Sequence, residues 1–241
     1  PYVTYENDFI ESEWWSLKKI WEKGLLYKGY KIVPYCPRCG TPLSSHEVAQ
    51  GYKDIKERTA VVKFKVSGEN AYFLAWTTTP WTLPSNTALC VNPEETYAKV
   101  QKGDEFYYMA EALLDKVLGD DYTIIKKYKG SDLEYKEYHP LFDNVDYSGV
   151  KEKCHYVVCD SYVTMEDGTG IVHIAPAFGE DDSRVGKKYN LPFIQYVDPK
   201  GCMTSETPWK GVFVKKADPM ILKDLEEADR LFAAPMAEHS Y

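Results

Sequence analysis

From about Thr59 the chain changes to short β-branched and aromatic runs separated by turn residues, the signature of a β-barrel or β-sandwich. Residues 61–66 and 72–76 flank Ser67-Gly68-Glu69-Asn70, which predicts a hairpin, and residues 97–100 and 106–109 flank Lys102-Gly103-Asp104, which predicts a second. Residues 111–118, stopped by Gly119, read as a short helix between strands. Extended runs at 155–158 and 162–164 then lead to the turn Glu166-Asp167-Gly168, and 171–175 read as a buried strand.

Outside this block the pattern is helical. Trp14, Leu17, Ile20, Trp21 and Leu25 recur at helical spacing, with Asp8 and Glu11 placed as a cap pair and Gly24 near the end. Near the other terminus Asp218 and Pro219 read as an N-cap and first-turn proline, with Ile221, Leu222, Leu225, Ala228, Leu231 and Phe232 as the apolar face. The expected fold class is therefore α+β: a β-barrel-like domain with peripheral helices and a small flanking segment around Cys36-Pro37-Arg38-Cys39-Gly40. The expected divisions are residues 1–55 for the first helix and the cysteine segment, 56–215 for the barrel, and 216–241 for the last helix.

With 241 residues, 44% of them hydrophobic, the chain can bury one good core. No apolar run approaches the roughly 18 residues of a membrane span, and no basic-then-apolar leader opens the chain, so a cytoplasmic location without a membrane partner is expected. It starts at Pro1 without an initiator methionine and is expected to be a piece cut from a longer protein. A net charge of −8 argues against gripping nucleic acid by a broad basic face. The small clusters at Lys126, Lys127 and Lys129, at Lys187 and Lys188, and at Lys215 and Lys216 read as solvated faces.

The six cysteines are too sparse for a disulfide framework and are expected to be reduced. Cys36-x-x-Cys39-Gly40 reads as half of a zinc knuckle, whereas structural zinc takes four ligands. His46 is a poor third, and Cys154 with Cys159, read as sharing one strand, would face opposite ways. An inert turn is the alternative.

The string Trp76-Thr77-Thr78-Thr79-Pro80-Trp81-Thr82-Leu83-Pro84-Ser85-Asn86 is the most unusual in the chain. Pro80 biases Thr79 toward extended geometry, so three β-branched hydroxyl residues form a stiff wall. A threonine triplet alone is also what an ordinary edge strand carries. A second string, Gly168-Thr169-Gly170-Ile171-Val172-His173-Ile174-Ala175-Pro176-Ala177-Phe178-Gly179-Glu180-Asp181-Asp182, turns tightly into a strand and then opens a short helix at Asp181 and Asp182 through Val185 to Tyr189. A lone strand histidine is more often a core residue, and an aspartate at a helix start is often only a cap.

Together these strings resemble the threonine-rich motif and the second editing motif of the editing domain inserted into isoleucyl-tRNA synthetases, and the resemblance extends over essentially the whole chain. The related valyl and leucyl enzymes carry arginine at the position of Thr79. The resemblance implies that Asp182 holds the α-amino group of a misattached amino acid, leaving Asp181 as the cap. It implies that His173 lies beside the amino-acid side chain and helps exclude isoleucine. Thr77, Thr78 and Thr79 would line the pocket and position ester and water, with Trp76 in its wall and Asn86 near the terminal adenosine. Asp182, Thr78 and Thr79 are the residues expected to carry the hydrolysis.

The implied partners are the acceptor end of isoleucine tRNA carrying valine and the rest of a synthetase in cis, the whole acting as a monomer. ATP and nucleotide binding would belong to that parent enzyme. No cofactor is expected for the hydrolysis, while a second cysteine pair beyond residue 241 would complete a zinc site in the full-length enzyme. The need for such a pocket follows from magnitudes. One methylene separates valine from isoleucine and is worth only about 1–3 kcal/mol, a limit for which isoleucyl-tRNA synthetases are themselves the standard example. The chain has no Gly-x-Ser-x-Gly elbow and no convincing Cys/His/Asn set, so direct attack by water is expected rather than an acyl-enzyme. The rival reading is a zinc-ribbon-like RNA- or protein-binding module without hydrolytic activity, which the incomplete cysteine set and acidic charge weaken.

Overall fold

The structure, a computed structural model, describes residues 3–240. The chain divides into two compact units, one reaching Lys31 and one starting at Ile32. The first carries helix α1 (Asn7–Glu22), closed by Gly24 in a left-handed turn at φ +68° whose N–H donates to the Trp21 carbonyl at 2.8 Å. The expected Asp8–Glu11 cap pair is not used. Glu6 holds the N-cap position without a side-chain bond, and Asp8 lies within the first turn, where its charge meets the positive end of the helix. No residue of α1 is buried.

The second unit opens with two-residue strands β1 (Tyr35–Cys36) and β2 (Thr41–Pro42), paired antiparallel around the cysteine turn. Helix α2 (Ser45–Ala49) follows, started by a complete Ser44/Glu47 capping box. Strand β3 (Asp54–Arg58) pairs antiparallel with residues 236–240 in a separate two-stranded ribbon. The first predicted hairpin is β4 (Ala60–Lys65) and β5 (Tyr72–Thr77), antiparallel with Phe64 opposite Phe73. A 3-10 turn (Pro80–Ser85) leads to β6 (Ala88–Val91), and β7 (Thr96–Lys102) with β8 (Glu105–Ala110) forms the second predicted hairpin. Helix α3 (Leu114–Leu118) ends at Gly119, φ +70°, as its sequence requires. Then come β9 (Thr123–Lys129), β10 (Tyr156–Cys159), β11 (Ile171–Ile174), α4 (Glu180–Tyr189), α5 (Val214–Glu227), β12 (Leu231–Ala233) and β13 (Met236–Ser240), the partner of β3.

Among the described residues nine strands form one sheet in the order β10-β6-β11-β5-β8-β7-β9, with β4 on β5 and β12 on β4. The sheet forks at β5. One edge of β5 belongs to β4, while the other is shared: Tyr72 and Phe73 pair with β8, and Trp76 pairs with Val172 of β11. This fork curls the sheet into a half-barrel, and single bridges from Glu137 to Tyr156 and from Tyr138 to Val66 span the gap between β10 and the end of β4.

Period-two alternation divides β6 and β10 between two apolar clusters. Leu89, Val91, Val157 and Cys159 point into the main core, and Ala88, Cys90, Tyr156 and Val158 into a second cluster that includes Val185 of α4. These strands are buried on both faces, so they lack the polar alternation of a half-exposed sheet.

Four expectations need correction. Residues 162–164 are a turn whose Val163 fills the second cluster rather than a strand. Cys154 is not on a strand with Cys159, because His155 at φ +62° breaks the extended backbone before β10 begins. Helix α5 starts at Val214 with Phe213 at its N-cap, so Pro219 lies inside it and Asp218 is not its cap; the Asp218 carboxylate is engaged elsewhere. Leu231 and Phe232 leave that helix, which ends at Ala228 and Asp229 (φ +52°), and belong to β12. Among the described residues no helix is long and apolar enough to cross a membrane.

Candidate functional site

The threonine string leaves β5 where β11 joins it, and its hydroxyls lock to one another. Thr79 N–H donates to Thr77 Oγ1 at 3.1 Å, Thr79 Oγ1 lies 3.3 Å from Thr82 Oγ1, and Thr82 Oγ1 donates to the Thr79 carbonyl at 2.9 Å. His173 Nε2, on the neighbouring strand, sits 2.9 Å from Thr82 Oγ1. With the Thr82 proton on a carbonyl, Thr82 accepts from His173, which assigns the Nε2–H tautomer and leaves Nδ1 as a buried acceptor with no partner among the described residues. His173 is 7% exposed, and burial pulls its value down to about 4, so the ring is neutral at pH 7.

The second string places Asp182 in the first turn of α4, half-buried, with Oδ1 accepting the Ala175 N–H at 2.8 Å. Burial pushes its carboxyl up to about 6, against the pull of that hydrogen bond. Asp181 is not the cap. Gly179 holds the N-cap position without a side-chain bond, and Asp181 turns outward to Arg184 at 3.0 Å. The same guanidinium grips Asp160 through two bonds of 2.8 and 3.0 Å, tying the start of α4 to the end of β10.

The two strings face one cavity of about 260 Å³. Trp76, Thr77, Thr78, Thr79 and Thr82 form one wall, and Val172, His173, Ala175, Phe178, Gly179 and Asp182 the other. The volume lies below the roughly 300–1,000 Å³ of pockets for drug-sized ligands and suits a group the size of one amino acid. It offers one carboxylate, a row of hydroxyls, a neutral imidazole and apolar sides. Six of the residues expected from sequence, Trp76, Thr77, Thr78, Thr79, His173 and Asp182, thus share one hollow. Asn86 is not among its lining residues: it is 1% exposed, donates to the Ala88 carbonyl and accepts from Tyr138 Oη at 2.6 Å.

Sequence reasoning missed Thr82, although it stands inside the quoted string, and the apolar contributors Val172, Ala175 and Phe178. It also missed Asp218, whose Oδ1 accepts the Trp81 N–H at 2.8 Å and so pins the start of the 3-10 turn to α5. Burial pushes this carboxyl up to about 6 as well. Phe178 meets Trp81 edge-on, ring centroids 5.0 Å apart, which joins the loop before α4 to the 3-10 turn.

Trp76 is held from two sides. Its Nε1 donates to Thr59 Oγ1 at 3.1 Å, that hydroxyl donates to the Pro235 carbonyl, and its ring lies on Gly168, where a methyl group would fall 2.8 Å from Cε3. Thr59→Val keeps the shape of this fully buried residue and strips both hydrogen bonds. It is expected to cost about 1–2 kcal/mol of unfolding free energy in urea, with Thr59→Ser near the parent.

The cysteine turn carries a thiol–amide contact, Cys39 N–H to Cys36 Sγ at 3.4 Å, which pulls the Cys36 thiol below its ordinary value. Among the described residues no group of three or more His, Cys, Asp or Glu side chains is arranged to hold a metal ion. Several lysines of the small basic clusters meet carboxylates: Lys127 with Glu111, Lys129 with Glu94, Lys188 with Asp160 and Lys215 with Glu57.

Comparison with known proteins places these features in context. The sequence profile described as tRNA synthetases class I (I, L, M and V) matches residues 1–224. An isoleucine–tRNA ligase of Clostridium kluyveri is 57% identical over 242 residues, covering 100% of this chain and 23% of that protein. One from Clostridium novyi is also 57% identical, over 243 residues with the same coverage. The chain therefore spans about a quarter of the length of the curated relatives it matches. Among solved structures, the editing domain of the cytosolic leucyl-tRNA synthetase of P. knowlesi superposes with a TM-score of 0.52 at 17% identity, covering 74% of this chain and 96% of that one, a likeness of fold.

Proposed function

Because this chain belongs to the class I tRNA synthetases of the isoleucine, leucine, methionine and valine group, we propose that it is the editing segment of an isoleucyl-tRNA synthetase and hydrolyses the ester of valyl-tRNA(Ile). One observation carries the reading: the hydroxyl-bearing end of β5 and the acid at the start of α4 face the same amino-acid-sized cavity.

The chemistry follows from those groups. Asp182 receives the α-ammonium of the bound aminoacyl group, and a neutral His173 puts no competing cation beside it. The ester is already activated, so the site needs chiefly to hold it and a water in line. The Thr78 and Thr79 hydroxyls orient that water, and a free ribose hydroxyl of the tRNA terminus takes part in the proton transfer. Water attacks the ester carbonyl, the carbonyl–ribose bond breaks, the ribose oxygen takes the proton, and valine leaves. Val172, His173, Phe178 and Trp76 bound the space for the side chain, so isoleucine is rejected by exclusion rather than by weaker binding. Asn86 acts through the backbone of the loop it stabilises.

The test is a pH profile of single-turnover valyl-tRNA(Ile) deacylation. An ammonium needs the ionised carboxylate, whose value in the free protein is about 6, so kcat/KM falls as pH drops through about 6. The other limb lies near about 8, where an α-amino group loses its proton. A profile without the acid limb contradicts the reading. Folding responds in the opposite sense: a raised carboxyl favours the protonated native state, so its contribution to stability is full below the ordinary carboxylate value and lost as pH rises through 6.

The remaining three-quarters of such an enzyme would act in cis, supplying tRNA-binding surfaces and the ATP-dependent synthetic site, as a cytoplasmic monomer. Zinc, if the longer chain supplies the missing pair of ligands, is held by Cys36 and Cys39 as a structural brace, and the hydrolysis draws on no cofactor.

A further inference from the structure

Gly179 sits at the N-cap of α4 with φ −134° and ψ 143°, extended geometry that any residue adopts, so the backbone does not ask for glycine. This is the position where serine, threonine, aspartate or asparagine would satisfy a free N–H of the first turn, and Gly179 has no side chain to do so. The reason lies in the cavity. A methyl group on Gly179 would fall 2.1 Å from Asp182 Oδ2 and 2.8 Å from its Cγ, so the carboxylate occupies the space that a side chain at 179 would fill. Its other oxygen is held by the Ala175 N–H at 2.8 Å.

We propose that Gly179 is a positioning residue for the cavity's acid: its bare Cα is the surface on which the Asp182 carboxylate rests, and any side chain there evicts that carboxylate. An aspartate has only two side-chain torsions, so a displaced carboxylate swings as a unit, loses the Ala175 bond and moves toward water. Its link to editing rests on the reading above; its link to Asp182 does not.

The experiment is Gly179→Ala in this chain, alone and combined with Asp182→Ala. Cooperative thermal unfolding is expected to persist, and the Asp182 carboxyl, followed by 13C NMR, should titrate below its parent midpoint of about 6. Valyl-tRNA(Ile) deacylation should fall at least tenfold, and Gly179→Ala should lower the melting temperature only where Asp182 is present. Should Gly179→Ala not fold, recovery of folding in the double variant supports the proposal, and failure of both overturns it. An unmoved Asp182 titration overturns it, as does a moved titration with deacylation unchanged. If the parent chain itself releases no valine, the editing reading fails, and the titration and the stability coupling still decide the role of Gly179.

Discussion

Asp182→Ala is expected to lower single-turnover hydrolysis of valyl-tRNA(Ile) by about 30- to 4,000-fold. Removing one partner of a desolvated charge pair costs about 2–5 kcal/mol, and each 1.4 kcal/mol is about a tenfold change in rate. The carboxylate is half-buried, fixed by one backbone N–H and backed by Gly179, so no nearby acid can replace it; Asp181, its sequence neighbour, turns away to Arg184. Asp182→Asn keeps the side-chain oxygen for Ala175 and drops the charge. It should lose nearly as much activity while unfolding like the parent, and a variant within threefold of the parent rate would show that the ammonium is held elsewhere.

His173→Ala should act on selectivity more than on rate. The ring is neutral and packed, bonded to Thr82, and its removal opens the wall against which a longer side chain would press. Hydrolysis of isoleucyl-tRNA(Ile) is expected to rise at least tenfold, the lower end of what one methylene is worth, about 1–3 kcal/mol. Valyl-tRNA hydrolysis should change less than that. Loss of both activities together would make His173 a catalytic group instead of a wall, and unchanged selectivity would remove it from the sieve.

What the sequence made legible was local. The hairpins of β4–β5 and β7–β8 carry their turn residues between the strands, and both form as the spacing implies. Strand β9 was not legible because its lysine-rich face is exposed, and β3 because charged residues fill it. Helix α5 was misplaced because Asp218-Pro219 imitates a helix start, whereas Asp218 reaches across to Trp81. Both site motifs could be read as strings, yet their meeting could not. It depends on the single pairing of Trp76 with Val172, between strands far apart in sequence, at the point where the sheet forks. Asn86 shows the converse: it stands in the motif by sequence, and its amide is spent on Tyr138 and the Ala88 carbonyl.

The cavity's assignment is tested most directly by deacylation with valyl-tRNA(Ile) and isoleucyl-tRNA(Ile) side by side, each at single turnover with the chain in excess. A pocket that admits the shorter side chain and shuts out the longer should release valine at least about a hundredfold faster, near the upper end of what one methylene can give. Equal rates, faster release of isoleucine, or binding of the charged tRNA with no release of valine would contradict it.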